Sequence, residues 1–144
     1  ELRVSELEEL RDVRVELEGL ATERAAVRVN EDELILIEKQ VQLMRAAAKA
    51  GDVDAYISEN WAFHTAVYKA SHMNRLLSLV ETLWLRIGPY VRLMMPDRAT
   101  MVASIPNHQD VFEALRRHDP KAARASIAAD IIESAEHLRT VLNP

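Results

Sequence analysis

The 144-residue sequence has no cysteine, only three glycines and five prolines, and no long apolar run. Without cysteine the chain can form neither a disulfide framework nor a thiolate metal site, so any metal site must use histidine and carboxylate side chains. The lack of cysteine also suits a reducing cytoplasm, which is the location we expect. No stretch approaches the roughly 20 consecutive apolar residues that span a bilayer, so we expect no membrane partner.

An excess of positive charge is missing as well, because the formal net charge is -5. Tight non-specific binding of nucleic acid depends on clustered lysine and arginine, so this chain alone is not expected to hold DNA. The composition is rich in alanine, leucine, valine, glutamate and arginine, and 49% of the residues are hydrophobic. This composition favours helices, and the length suits one core. The sequence therefore predicts a single all-α domain over residues 1–144.

Apolar residues recur at three- and four-residue steps along most of the chain, and typical helix caps separate the repeats. Six such segments with short connections predict an antiparallel bundle of about six helices around one core. Their expected ranges are about 3–28, 30–50, 52–71, 74–95, 107–119 and 120–142.

Proline and glycine interrupt the pattern at two places. Gly88 and Pro89 lie inside the fourth segment, and a proline removes one helical hydrogen bond and clashes with the preceding turn. They therefore predict a kink or break within residues 85–89 of the fourth helix. The stretch DRATMVASIP, residues 97–106, is expected to form a loop or a short turn before the fifth helix.

Several polar side chains lie on helix faces that should turn toward the core. Asn60 and His64 are one turn apart in the third helix and share a face with apolar neighbours. His108 lies on the apolar stripe of the fifth helix, Asp130 on that of the sixth and Arg14 on that of the first. The other histidines are expected at the surface: His72, His118 and His137.

Two explanations account for these inward polar residues. Each histidine could be a hydrogen-bonded core residue, and Asp130 could pair with Arg14, because an unpaired buried carboxylate is costly. Alternatively, one divalent cation could satisfy imidazole, amide and carboxylate groups from three helices together. This donor set suits Zn, Ni, Mn or Fe, and Zn is favoured. Spacing along the chain does not decide whether these faces meet.

Three stretches of the sequence resemble motifs of one protein family. They resemble the first-helix signature, the Asp-x-x-x-His helix with the Asn-x-x-Leu that follows it, and the His-containing penultimate helix of the FCD domain. That domain is the ligand-binding and dimerisation domain of GntR transcription regulators of the FadR subfamily. The stretches are DVRVELEGLA (12–21), NWAFHTAVYKASHMNRLL (60–77) and NHQDVFEALRRHDPKAARASI (107–127).

The resemblance implies a ligand set for a metal. In the family, an Asp and a His one turn apart commonly hold the metal, together with a second His in the penultimate helix and a third in the last. By position these ligands correspond to Asn60, His64, His108 and Asp130. Two of the four depart from the pattern, but the carboxylate lost at position 60 reappears at position 130, so the set still carries one negative charge.

The resemblance also implies a function. A small carboxylate metabolite would coordinate the metal or pair with Arg14, while Arg86, Tyr90 and Arg92 of the kinked segment either line the same cavity or face solvent. The protein would form a homodimer. It would contact DNA only through a winged helix-turn-helix domain that is absent from this chain and expected N-terminal to it.

Two other classes of protein remain open. One is a metal-free helical dimerisation module in which Arg14 and Asp130 form an ion pair. The other is a metal-dependent helical-bundle enzyme, but no glutamate here has a histidine three residues later, as di-iron bundles require. Nucleophile motifs and glycine-rich phosphate loops are also missing, so we expect that the protein is not an enzyme.

Overall fold

The computed structural model describes residues 2–95 and 97–143, and within these ranges every regular element is a helix. The prediction of an all-α bundle is confirmed, with six long helices and one short one. The α-helices are α1 (Val4–Arg28), α2 (Glu31–Ala50), α3 (Val53–Lys69), α4 (Asn74–Ile87), α5 (Val91–Met94), α6 (Arg98–Arg116) and α7 (Pro120–Leu142).

Local capping interactions set the ends of α2 and the start of α3. The Asn30 side chain accepts a hydrogen bond from the Glu33 amide at 2.9 Å, and the Glu33 carboxylate accepts one from the Asn30 amide at 3.1 Å. Gly51 ends α2 in the left-handed conformation with φ of 70°, which glycine adopts without steric cost. The Asp52 carboxylate then caps α3 by accepting from the Ala55 amide at 3.0 Å. These caps position the helix that carries Asn60 and His64.

The predicted kink in the fourth segment is confirmed. Residues Gly88–Tyr90 form a single 3-10 turn that separates α4 from the four-residue helix α5. Pro89 lacks the amide hydrogen that a continuous α-helix would need there. After the turn, α5 buries Val91 and Met94, so this short helix closes one side of the bundle.

The loop expected over residues 97–106 is wrong, because α6 begins at Arg98 and runs through this stretch. The Asp97 side chain caps it by accepting from the Thr100 amide at 2.8 Å. Pro106 lies inside the helix on its exposed side, while Met101 and Ile105 are buried. Packing of that apolar face outweighs the hydrogen bond that Pro106 removes.

The helices enclose one hydrophobic core. Helix α7 packs along α1 and α6, and α2 packs against α3 and α6. None of the described helices is both long and apolar enough to cross a membrane. The largest core side chains come from six helices and include Leu7, Ile37, Met44, Tyr56, Phe63, Ile87, Met101, Leu115, Ile127 and Leu138.

Candidate metal and effector site

Three of the predicted ligand residues meet inside the bundle. Nε2 of His64 on α3 lies 3.2 Å from Oδ2 of Asp130 on α7, and Nε2 of His108 on α6 lies 3.6 Å from Oδ1 of the same carboxylate. All three side chains are buried, and one potential ligand atom from each lies within 4.8 Å of the others. The inward faces of three helices therefore converge on one point.

Asn60 belongs to the same cluster. Its side chain is buried one turn before His64, and its Oδ1 atom is 3.0 Å from Nε2 of His108. The structure thus brings together all four residues that correspond to the family's metal ligands: Asn60, His64, His108 and Asp130.

Hydrogen bonding determines which nitrogen of His108 carries the proton. Nδ1 lies 2.9 Å from the Ser104 carbonyl oxygen. Because a carbonyl oxygen only accepts hydrogen bonds, Nδ1 must be the donor. Burial lowers the pKa of His108 below its ordinary value, which favours the neutral ring. Nε2 also faces acceptors, the Asp130 carboxylate and Oδ1 of Asn60, so in the neutral ring its lone pair is directed at other lone pairs unless a cation lies between them.

The same reasoning applies to His64 through Tyr68. The Tyr68 hydroxyl donates to Oε1 of Glu18 at 2.6 Å, so its oxygen accepts the Nδ1–H of His64 at 2.9 Å. Burial and the neighbouring Glu18 carboxylate hold the pKa of Tyr68 well above its ordinary value. The hydroxyl therefore keeps its proton, Nδ1 of His64 carries a hydrogen, and Nε2 is the nitrogen that faces Asp130.

Asp130 supplies the negative charge of the cluster. Burial disfavours ionisation of its carboxyl, but the positive charge of the protonated His108 and His64 rings and of the Arg14 guanidinium holds its pKa at about 2. An ionised carboxylate and two imidazole lone pairs repel one another unless a cation lies among them. A metal ion, or a proton on one imidazole, provides that cation. The donor set fits a divalent metal because nitrogen and carboxylate oxygen converge with their lone pairs inward.

The Arg14–Asp130 ion pair considered from the sequence is not formed. Nε of Arg14 instead lies 2.6 Å from Oε2 of Glu18, one turn along α1. Glu18 is fully buried and also accepts a hydrogen bond from Nε1 of Trp84 at 2.8 Å. A partner four residues away on the same helix is reached without any tertiary contact, so Glu18 captures the guanidinium. The Arg14 guanidinium also lies over the Trp84 ring, 5.2 Å from its centre.

Sequence reasoning missed Glu18, Tyr68 and Trp84 as parts of the site. A signal for Glu18 was present, because a carboxylate one turn after an inward arginine shares its helix face. The polar ends of Tyr68 and Trp84 carried no such signal, because both residues also fit an ordinary apolar core.

Three residues of the kinked segment, considered as ligand contacts, lie away from the cluster. Arg86 is exposed. The Tyr90 hydroxyl accepts a hydrogen bond from the Leu2 amide at 2.9 Å. Arg92 is exposed and pairs with Asp54. None of the three lines the cavity beside Asp130, because the 3-10 turn directs Met94 and Met95 into it instead.

The remaining histidines differ in their placement. His72 is exposed and lies 3.2 Å from Glu33, and His118 is exposed and donates from Nδ1 to the Ala26 carbonyl at 2.9 Å. Both surface predictions are confirmed. The prediction for His137 is wrong, because the side chain is half-buried and its Nε2 atom is shielded from solvent with no hydrogen-bond partner among the described residues.

Two cavities adjoin the cluster. The inner cavity measures about 20 Å³ and is lined by Arg14, Asn60, His64, Trp84 and Asp130 among others, so it has room for an ion or a water molecule. The outer pocket measures about 150 Å³ and opens toward the surface between α5, α6 and α7. The two cavities share four lining residues: Met94, Met95, Asp130 and Ser134.

Comparison with known proteins gives the family. A family model described as the FCD domain matches residues 9–133. The chain belongs to the FCD-domain family. The match covers all four residues of the cluster, from Asn60 to Asp130, and also Arg14 and Glu18 on α1.

Two curated relatives of this FCD domain are transcriptional regulators. The chain is 27% identical over 125 residues to the HTH-type transcriptional regulator McbR of Escherichia coli (strain K12), covering 85% of this chain and 57% of McbR. It is 29% identical over 147 residues to the uncharacterized HTH-type transcriptional regulator YdhC of Bacillus subtilis (strain 168), covering 98% of this chain and 63% of YdhC. The FCD domain therefore spans about three fifths of these relatives.

Solved structures agree with the fold. Escherichia coli McbR/YncC superposes with a TM-score of 0.92 at 25% identity, covering 98% of this chain and 71% of that one. Streptococcus agalactiae GntR superposes with a TM-score of 0.75 at 24% identity, covering 90% of this chain and 58% of that one. The metal-free FCD domain of TM0439 superposes with a TM-score of 0.79 at 18% identity, covering 99% of this chain and 97% of that one. The last two show the fold alone. The expectation that the chain is not an enzyme is confirmed by the regulators among these relatives.

Proposed function

We propose that this FCD domain is the effector-sensing and dimerisation domain of a GntR transcription regulator of the FadR type. Its effector is a small carboxylate metabolite that binds at a divalent metal in the bundle core. DNA binding belongs to a winged helix-turn-helix domain outside this chain, as the names and the greater length of McbR and YdhC suggest. The net charge of -5 supports this assignment, because a negatively charged domain is repelled by the phosphates of DNA. The protein works in the cytoplasm, where such regulators meet DNA.

The convergence of lone pairs on Asp130 is the observation that carries this proposal. The metal would be held by Nε2 of His64, Nε2 of His108 and the Asp130 carboxylate, with Oδ1 of Asn60 as a weaker fourth ligand. Zn is favoured, and Ni, Mn and Fe also suit these ligands. When bound, the metal supplies positive charge and open coordination positions for a carboxylate.

Charge balance makes effector binding depend on the metal. Arg14 is the only arginine or lysine that lines the inner cavity in the described part of the chain, and it is already paired with Glu18. The Asp130 carboxylate therefore leaves the site with one formal negative charge, which repels an acid. A divalent ion reverses the net charge to plus one. A carboxylate then restores neutrality in a buried site where unbalanced charge is costly.

The hydrogen-bond chain from the cluster reaches the first helix, which supports a regulatory role. His64 contacts Tyr68, Tyr68 contacts Glu18 on α1, and Glu18 also holds Trp84 on α4. An effector that shifts His64 therefore acts on contacts between α1, α3 and α4. By linkage, the effector alters DNA affinity only if it binds one arrangement of these helices better than another.

Metal analysis of the purified protein tests the proposal. Protein stripped with a chelator and reloaded separately with Zn, Ni, Mn or Fe should take up one ion per chain and melt at a higher temperature. The variant His108→Ala should lose both effects, and the matched control His72→Ala should keep them, because His72 lies on the surface. A panel of carboxylic acids should then stabilise only the metal-loaded form.

The alternative function is a metal-free dimerisation module. The 3.2 Å separation between Nε2 of His64 and Oδ2 of Asp130 favours it, because a single proton can bridge that distance. In that case the protein carries no stoichiometric metal, does not respond to chelator and gains no stability from any acid. Stabilisation by an acid without metal would instead move the ligand contact to Arg14.

Homodimer formation is the second part of the proposal. Val13 on α1 and the α4 residues Leu79 and Leu85 are exposed large apolar side chains, and α1 and α4 pack against each other. A second copy that covers them would remove this apolar surface from water. Sedimentation at several concentrations should give a dimer, and Leu85→Glu should shift it toward monomer. A monomer at all concentrations would contradict this part.

A further inference from the structure

The outer pocket shares part of its lining with the cavity beside the metal cluster. Met94, Met95, Asp130 and Ser134 line both this pocket and the inner cavity. Methionine side chains are unbranched and adapt their shape readily, so they form a movable partition. A ligand atom held beside Asp130 therefore lies next to a space several times larger than the inner cavity, with the two methionine side chains between them.

The polar lining of the outer pocket offers uncharged hydrogen-bonding groups. Thr100, Ser104 and Asn107 come from α6, and Ser134 and His137 come from α7. His137 is notable because its Nε2 atom is shielded from solvent and has no hydrogen-bond partner among the described residues. A shielded nitrogen without a partner costs free energy, and a turn of the His137 ring toward the pocket would let a ligand satisfy it.

The charged lining of the outer pocket is entirely negative. Asp130 and Glu133 line it, and no lysine or arginine does so within the described ranges. The Asn107 amide donates to Oε2 of Glu133 at 2.6 Å and holds that carboxylate at the rim. In the metal-loaded protein the Asp130 charge is compensated by the ion, so a second carboxylate on a ligand would meet the Glu133 carboxylate here and no lysine or arginine of the described lining.

We propose that the outer pocket is the specificity subsite for the effector, and that the effector is a monocarboxylate with an uncharged hydroxyl or amide at its far end. The acid group lies at the inner site, and the tail passes Met94 and Met95 to reach Ser134 and His137. This inference rests on the proposed function, because it takes the metal-bearing cluster as the place where the acid binds. Dicarboxylates of the same length are disfavoured by Glu133, the carboxylate of the outer pocket that no metal compensates.

A matched set of four-carbon acids tests the subsite on metal-loaded protein. Butyrate has no polar tail, 4-hydroxybutyrate and succinamate carry an uncharged polar tail, and succinate carries a second carboxylate. Calorimetric titration should place the hydroxyl and amide compounds roughly tenfold or more tighter than butyrate and succinate, as expected for one well-made hydrogen bond against one unfavourable charge contact.

Variants assign the preference to the outer pocket. His137→Ala and Ser134→Ala should each bring the affinity for succinamate down toward that for butyrate, whereas Glu133→Gln should restore binding of succinate. His118→Ala serves as the control, because His118 lies outside both cavities. The melting temperature of each variant checks that it is folded.

The outcomes separate this inference from the function on which it depends. Equal affinities for succinate and succinamate, or loss of butyrate and succinamate binding together in His137→Ala, would overturn the subsite while the sensing function stands. A metal-loaded protein that binds none of the four acids would overturn both. The subsite is supported if succinamate and 4-hydroxybutyrate bind more tightly than butyrate and succinate, and if this preference is lost in His137→Ala and Ser134→Ala but kept in His118→Ala.

Discussion

The Tyr68 hydroxyl donates a hydrogen bond to the Glu18 carboxylate over 2.6 Å, and both side chains are buried. Because this hydroxyl has one proton to give, its oxygen must accept the hydrogen on Nδ1 of His64. Glu18, which lies on a different helix from His64, therefore determines through Tyr68 which nitrogen of His64 faces Asp130. Histidine ligands to metals commonly have such an outer partner, which fixes the ring and its tautomer.

The first prediction concerns this outer partner. Tyr68→Phe removes the acceptor for Nδ1–H of His64, so the affinity for a divalent metal should fall roughly 10- to 100-fold. Competition titration against a coloured chelator measures the change. Tyr90→Phe is the matched control, because it also removes one hydroxyl hydrogen bond but lies away from the cluster. Equal metal affinity in the two variants would show that Tyr68 does not orient His64.

The second prediction concerns the amide at position 60. Asn60→Asp places a carboxylate where an amide oxygen now lies 3.0 Å from Nε2 of His108. The metal affinity should rise, because a second anionic ligand joins Asp130. Without metal, the two buried carboxylates should repel and lower the free energy of unfolding by about 2 kcal/mol. The difference in melting temperature between metal-loaded and chelator-treated protein should therefore be larger for Asn60→Asp than for the unmodified protein.

The control for this variant is Asn74→Asp, which changes an exposed asparagine at the start of α4. It adds the same charge far from the cluster and should leave the gap between the two melting temperatures unchanged. If Asn60→Asp behaves like Asn74→Asp, position 60 does not act as a ligand.

The third prediction concerns the buried pair on α1. Glu18→Gln removes the charge that balances Arg14 inside the bundle, so the free energy of unfolding should fall by about 3 to 5 kcal/mol. Urea denaturation measures the loss. Glu113→Gln is a fitting comparison, because Glu113 pairs with Arg116 at the surface, and it should change stability by less than about 1 kcal/mol. Similar losses in both variants would contradict the assigned role of Glu18.

The fourth prediction concerns pH in the metal-free protein. The pKa of Asp130 falls from 3.8 to about 2 on folding, so its contribution to stability is complete above pH 3.8 and is lost as the pH falls toward 2. By the linkage slope of about 1.4 kcal/mol per pKa unit, that contribution is about 2 kcal/mol. The pKa of His108 is lowered from 6.5, so the unfolded chain takes up a proton first and stability declines below pH 6.5.

Both groups therefore act in the same direction, and stability should rise with pH. Denaturation midpoints of chelator-treated protein, measured from about pH 2 to about pH 8, provide the profile. Replacing the titrating ring by His108→Gln should flatten the decline that begins near the ordinary histidine pKa of 6.5. Parallel profiles for the variant and the unmodified protein would contradict a neutral, buried His108.

Local features explain why much of the fold was predictable. The capping box of Asn30 and Glu33, the left-handed Gly51 and the break at Pro89 all depend on residues within four positions of each other, and each occurs where the sequence indicates. The start of α6 was not predictable in the same way. A loop or short turn was expected over residues 97–106, yet burial of Met101 and Ile105 keeps this stretch helical.

The cluster shows the same division between local and distant information. His64, His108 and Asp130 could be named because each violates the apolar face of its own helix, and because their spacing resembles a known family. The partner of Arg14 could not be named, and the sequence left open whether Arg86 and Arg92 line the cavity or face solvent. Both outcomes depend on which rotamer the Arg14 side chain adopts and on how the 3-10 turn orients the chain after α4.

The sequence by itself determined the helical class, most helix ends and the inward placement of the polar residues, because periodicity and capping act over a few positions. Only the tertiary structure decided that the inward faces of α3, α6 and α7 meet at Asp130, and that Tyr68 carries the influence of Glu18 to His64. Distances between helices depend on how all the core side chains pack together. No single stretch of the chain contains that information.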